Sequence, residues 1–167
     1  MNLILCGMMG AGKTTVGKAL AQRTERTLLD TDALIVERYG NINDIFARYG
    51  EQYFRDLETQ TVQELCQQDK LILSVGGGLV LKRKNVEILQ KNGKIIYLRA
   101  KLDTLMQRLS SDRERPLLHA GEESLQDRLT RLLNERACIY ENAADFVVDV
   151  DEKTPEEIAE EIEKIIG

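Results

Sequence analysis

Gly7-Met8-Met9-Gly10-Ala11-Gly12-Lys13-Thr14 fits the pattern G-x-x-x-x-G-K-[ST], and each specified position has a chemical reason. Glycines let the backbone turn sharply and bring N–H groups close to phosphate oxygens. The main chain of Gly10, Ala11, Gly12, Lys13, Thr14 and Thr15 would face that anion, at the start of a helix whose first N–H groups lack partners. The Lys13 ammonium adds charge beside the β- and γ-phosphates, and the Thr14 hydroxyl is a ligand for Mg²⁺. An accidental glycine-rich turn is the bland alternative. An apolar strand before the run and a helix after it speak for nucleotide binding.

The remaining polar residues must say where a phosphoryl group would go. Asp30-Thr31-Asp32 ends an apolar segment, and carboxylates two apart share a face while the chain is extended. One can hold Mg²⁺ through water and the other can orient or deprotonate a hydroxyl; a solvated strand end or a helix N-cap is the alternative. Arg55 and Glu58 are three apart on one helical face, which also describes a surface ion pair. Gly76-Gly77-Gly78 follows a strand and lets a ligand approach the backbone, or is a plain turn. Ser74, just before it, has a hydroxyl suited to a metal-bound water. Arg113, Arg115 and Pro116 lie in a long polar segment, where arginine on a closing loop stabilises a transferring phosphoryl group. A solvated basic loop is the alternative there. Arg136, late in a helix, would also suit the negative end of the helix dipole.

These residues need elements to position them. Strands are expected at Asn2–Cys6, Thr27–Asp30, Leu71–Val75, Lys94–Leu98 and Asp145–Val150. Helices are expected from Lys13, over Ala33–Arg38, after a cap at Asn43 or Asp44, over Glu51–Gln67 and over Lys84–Lys91. Further helices follow a cap at Asp103, cover Leu125–Tyr140, and start at Thr154-Pro155-Glu156-Glu157, where proline and acids suit a helix N-terminus. The alternation implies an α/β fold whose mainly parallel sheet is covered on both faces. Ser110–Glu123 is long for a loop of a compact domain, as lids and binding loops are.

The 167 residues suit one domain, and 43% hydrophobic with 31% charged residues is an ordinary globular balance. A net charge of −5 disfavours a nucleic-acid partner, whose phosphates call for basic patches. Cys6, Cys66 and Cys138 match no zinc spacing and leave an odd count for disulfides; Cys6, in an apolar run, reads as a small buried residue. His119 sits in a polar stretch and is given no role. No segment has the length of a membrane span or the form of a signal peptide, so the cytoplasm is the expected compartment, with no membrane partner.

Taken in order, G-x-x-G-x-G-K-T, Asp-Thr-Asp, Asp-Ile-Phe, Gly-Glu-x-x-Phe-Arg-x-x-Glu, Gly-Gly-Gly, Arg-Pro-Leu-Leu and Arg-x-x-x-Tyr resemble the shikimate kinase family, from residue 3 to about residue 150. The resemblance implies a three-layer α/β/α P-loop kinase fold with a central five-stranded parallel sheet, a helical substrate-binding region at about 31–60 and a lid at about 110–123. It implies ATP-dependent phosphorylation of the 3-hydroxyl of shikimate, with one Mg²⁺, in a monomeric enzyme of aromatic amino-acid biosynthesis. Position by position, Asp32 matches the acid that holds the shikimate hydroxyls and serves as base, and Asp30 the acid on the Mg²⁺ side with Thr14. Arg55, Gly77, Gly78 and Arg136 match the groups that grip shikimate, Glu58 an acid that orients them, and Phe46 and Phe54 the aromatic wall. Arg115 matches the lid arginine at the phosphates. Arg108 and Pro155 match the adenine pocket. Met8 and Met9 fall at variable positions, and the segment between Asp32 and Asp44 is slightly short. Gluconate or nucleoside monophosphate kinases are the nearest rivals. A nucleotide-switched binding module is another, but no N-K-x-D motif supports a guanine-reading switch.

Overall fold

The computed structural model describes residues 1–110 and 123–167. Their five strands are β1 (Asn2–Cys6), β2 (Thr27–Asp30), β3 (Leu71–Ser74), β4 (Gly93–Arg99) and β5 (Phe146–Asp149). They form one parallel sheet in the order β2-β3-β1-β4-β5. The helices are α1 (Lys13–Arg23), α2 (Thr31–Tyr39), α3 (Ile42–Tyr49), α4 (Glu51–Leu65), α5 (Arg83–Asn92), α6 (Leu102–Ser110), α7 (Leu125–Ala143) and α8 (Pro155–Ile166). A short 3₁₀ turn covers Leu79–Leu81.

The central strands explain their own composition. Every residue of β1 and β3 is buried, because helices cover both faces of a parallel sheet and leave no polar side. The edge strands β2 and β5 are more exposed, and β5 alternates. A parallel sheet sends all its strand ends to one side, so the segments after Cys6, Asp30 and Ser74 gather there. Register tightens this: Asp30 and Leu5 both pair with Ser74.

Most of the core surrounds the sheet, from Leu3 to Ile162. A second, smaller cluster lies apart: Ile35, Ile45, Phe54 and Leu57, with Ile42 and Phe46 packed against it. It joins α2, α3 and α4, the region expected to bind substrate. Thr154 caps α8 in a reciprocal capping box with Glu157, with Pro155 at the first helical position, as expected.

Some local expectations change. α2 starts at Thr31, with Asp30 as its cap: the Asp30 carboxylate accepts a hydrogen bond from the Ala33 N–H, 3.0 Å away. Asp30 and Asp32 therefore do not share the face of an extended strand; Asp32 sits in the first turn of a helix. Asn41, and not Asn43 or Asp44, caps α3, because its side chain reaches back to the Asn43 N–H at 2.7 Å. Asp103 is inside the first turn of α6. Ser110 ends α6, and Arg113, Arg115 and Pro116 of the expected lid, with His119, lie outside the described residues.

Candidate active site

The phosphate-binding turn leaves β1 and enters α1. Gly7, Gly10 and Gly12 all have positive φ, at 146°, 85° and 92°, which side-chain-bearing residues rarely adopt. Gly12 is the N-cap of α1, no side chain caps it, and the first turn carries no acid. The first N–H groups of the helix and its positive dipole end therefore face the turn. The Lys13 ammonium donates to the Gly7 carbonyl at 2.7 Å, folding back over the loop.

Thr14, Asp30 and Ser74 meet beneath it. The Thr14 hydroxyl donates to Asp30 Oδ2 at 2.8 Å, and Thr14 Oγ1 lies 3.2 Å from Ser74 Oγ. The pairing of Asp30 with Ser74 in adjacent strands puts these oxygens together. Hard oxygen donors of this kind suit Mg²⁺, which takes few protein ligands and completes its shell with water and phosphate. Among the described residues there is no larger His, Cys, Asp or Glu cluster that could hold a metal.

The same hollow continues from the turn to the acids. A cavity of about 230 Å³ is lined by Gly10, Gly12, Lys13, Thr14, Asp30, Asp32, Ser74 and Gly76, among others. Asp32 thus shares one space with the residues of the glycine turn.

Gly76, Gly77 and Gly78 have a role the sequence left open. None has positive φ among the backbone exceptions of the chain. Space is what demands glycine here. A Cβ on Gly76 would lie 2.7 Å from Asp32 Oδ1, one on Gly77 3.3 Å from Arg136 Nη1, and one on Gly78 2.5 Å from Arg55 Nη1. Three side chains from α2, α7 and α4 therefore converge on three consecutive glycines. The plain-turn alternative does not explain that convergence.

Arg55 and Glu58 are not a surface pair. Arg55 Nη1 donates to Glu58 Oε1 at 2.7 Å, and Glu58 is 1% exposed. Burial pushes the Glu58 carboxyl up, and the Arg55 guanidinium draws it part of the way back. Arg55 also lies over the Phe54 ring, 5.4 Å from its centroid, and Phe46 meets Phe54 with centroids 5.1 Å apart. The two aromatic residues are one wall beside the guanidinium. Arg136 stands seven residues before the end of α7 at Ala143, about two turns, so the helix-end alternative for it fails.

Arg108 reaches the turn from α6: its Nη1 donates to the Ala11 carbonyl at 2.8 Å and to Gly10 at 3.3 Å. A small hollow of about 230 Å³ joins Arg108 to Gly12, Thr15, Val16, Pro155 and Ile158. Cys6 is buried, its thiol pushed up to about 12 by burial, which fits a packing residue and not a nucleophile.

Side chains without an assigned role in the sequence hold the glycine segment. The Gly76 N–H donates to Thr31 Oγ1 at 3.1 Å, the Tyr140 hydroxyl donates to the Gly77 carbonyl at 2.6 Å, and Asn85 Nδ2 donates to the Leu79 carbonyl at 2.9 Å. Asn85 in turn accepts from the Thr59 hydroxyl, 2.8 Å away on α4. The Arg-x-x-x-Tyr spacing carried a signal for Tyr140, since residues four apart share a helix face. Thr31 and Asn85 had none: Thr31 meets a backbone N–H 45 residues away, and Asn85 links the Leu79 carbonyl to a hydroxyl on another helix.

The parallel sheet, the glycine turn and the acid-and-arginine pocket beside it define a P-loop kinase. Comparison with known proteins narrows the class. The family model described as shikimate kinase matches residues 9–166. A shikimate kinase of Caldicellulosiruptor bescii is 40% identical over 162 residues, 96% of this chain and 92% of its own length. One from Geobacter sulfurreducens is 42% identical over 162 residues, covering 96% and 88%. The solved structure of shikimate kinase from Acinetobacter baumannii in complex with shikimate superposes with a TM-score of 0.91 at 36% identity, over 99% of this chain and 92% of that one. The chain belongs to the shikimate kinase family. No helix among the described residues is long and apolar enough to cross a membrane.

Proposed function

We propose that this chain, as one kinase domain over residues 1–167, transfers the γ-phosphoryl group of ATP to the 3-hydroxyl of shikimate, yielding shikimate 3-phosphate and ADP for aromatic amino-acid biosynthesis. The observation that carries this reading is the convergence of Asp32, Arg136 and Arg55 on Gly76, Gly77 and Gly78, beside the turn that holds phosphate.

Two guanidiniums at one glycine segment suit a ring carboxylate, which arginine binds with paired N–H donors. Gly77 and Gly78 let the two guanidiniums come close to the backbone, Phe46 and Phe54 wall the ring, and Glu58 holds Arg55 in place. The Asp32 carboxylate then accepts the hydrogen bond of the 3-hydroxyl and takes its proton as that oxygen bonds to the γ-phosphorus. The bond from the γ-phosphorus to the β–γ bridging oxygen breaks, and ADP leaves. Lys13 and the main chain of Gly10 to Thr15 stabilise charge on the phosphate oxygens. Thr14 and Asp30 would hold Mg²⁺, which would supply further positive charge at the phosphates. Arg108 and Pro155 border the adenine, consistent with the hollow between them. Arg115, outside the described residues, is assigned to the phosphates by its Arg-Pro-Leu-Leu context. The proposed working unit is a monomer in the cytoplasm.

ADP formation with ATP, Mg²⁺ and shikimate tests the reaction. Turnover should require shikimate, and Asp32→Asn should lower kcat by roughly 10²–10⁴-fold, the usual weight of a positioned base. Turnover of gluconate or a nucleoside monophosphate with shikimate inert would refute the substrate; full kcat in the variant would refute the role of Asp32.

A further inference from the structure

Tyr140 is wholly buried on α7, yet its phenol is polar and must find partners there. Its ring packs on Tyr97 of β4, with centroids 5.1 Å apart, which fixes where the hydroxyl can point. That hydroxyl has one hydrogen to give, and the Gly77 carbonyl receives it at 2.6 Å. Met8 Sδ, at 4.0 Å, is a much weaker acceptor. With its hydrogen committed, the phenol oxygen can only accept from other groups.

Arg136 is the donor available. It precedes Tyr140 by four residues on α7, so the two side chains share a face. Both crowd the same point: a Cβ on Gly77 would lie 3.3 Å from Arg136 Nη1 and 3.6 Å from the Tyr140 hydroxyl. The Arg136 guanidinium also opposes the rise that burial imposes on the phenol, which reaches about 12, so Tyr140 stays a neutral donor at any working pH.

We propose that Tyr140 is a positioning residue of the acceptor site: its hydroxyl ties the Gly77 carbonyl to the Arg136 guanidinium, and so sets how firmly the substrate carboxylate is held. Tyr140 does not touch the substrate in this arrangement; it acts through the two groups that do. The proposal rests on the functional reading above, and the following measurement separates the two.

Tyr140→Phe keeps the ring and its contact with Tyr97 and deletes only the hydroxyl. In the full-length chain, KM for shikimate should rise about tenfold, as for a lost buried hydrogen bond to a charged group. KM for ATP and kcat should stay within about twofold, since binding and not the transition state is altered. In an Arg136→Ala background the same substitution should add little to KM, because the group it orients is gone. An active wild type whose KM for shikimate is unchanged by Tyr140→Phe overturns the proposal. So does a lower melting temperature with unaltered KM, which would mean a packing role alone, or a penalty that multiplies in full with that of Arg136→Ala. A wild type that never turns over shikimate refutes the functional reading and this proposal together.

Discussion

Glu58 has one short ion pair, to Arg55, and almost no contact with solvent. Its carboxyl lies above the ordinary value of 4.5, chiefly because burial disfavours the charge. The folded chain then binds that proton more tightly than the unfolded one. This contribution to stability is greatest below the unfolded value and is lost as pH rises through the folded one. Glu58→Gln cannot titrate, so the stability of the variant relative to the wild type should improve as pH rises through that window. Urea melts of both proteins across a pH series measure this, and a difference independent of pH would show that Glu58 titrates alike in both states. A three-residue spacing made the Arg55–Glu58 pair legible in the sequence, but not its depth. Which face of α4 is buried depends on α2, α3, α5 and the 3₁₀ turn that pack against it.

Elements, more than individual residues, decide what Gly78 is for. Its φ of −96° is open to any residue, so alanine there strains no backbone. The new methyl would instead meet the far end of the Arg55 side chain from α4. Gly78→Ala should therefore fold with a melting temperature near that of the wild type and raise KM for shikimate by roughly tenfold or more, the cost of disturbing a charge-assisted hydrogen bond. Comparing KM for the two substrates checks it; an equal rise for ATP would mean that the whole segment had moved. The element boundaries were legible where chemistry is local, as in the capping box of Thr154 and Glu157. At Asp30 the strand end was legible and the helix cap stood only as an alternative; the start of α2 was set two residues late, because the strand runs directly into the helix and the same aspartate serves as helix cap and as partner of Thr14.

Across the whole molecule, the apolar residues form two unequal clusters, and the smaller one carries the arginine of α4 and the aromatic wall. Few buried contacts mean a low cost of local opening. Hydrogen exchange should therefore be faster in α2, α3 and α4 than in β1 and β3, and shikimate should slow it in that region with little change in the sheet. Uniform protection, or a shikimate effect confined to the sheet, would contradict this division. The glycine turn at Gly7–Thr14, the strand–helix alternation and the family motifs were all determined by the sequence alone, because neighbouring residues form each of them and local stereochemistry suffices. Only the tertiary structure decided that Asp32, Arg136 and Arg55 each face a different glycine of one segment, and that Thr31, Tyr140 and Asn85 hold that segment in place. Those contacts join α2, α4, α5 and α7 across long stretches of chain, and the parallel sheet brings them together by sending every strand end to the same side.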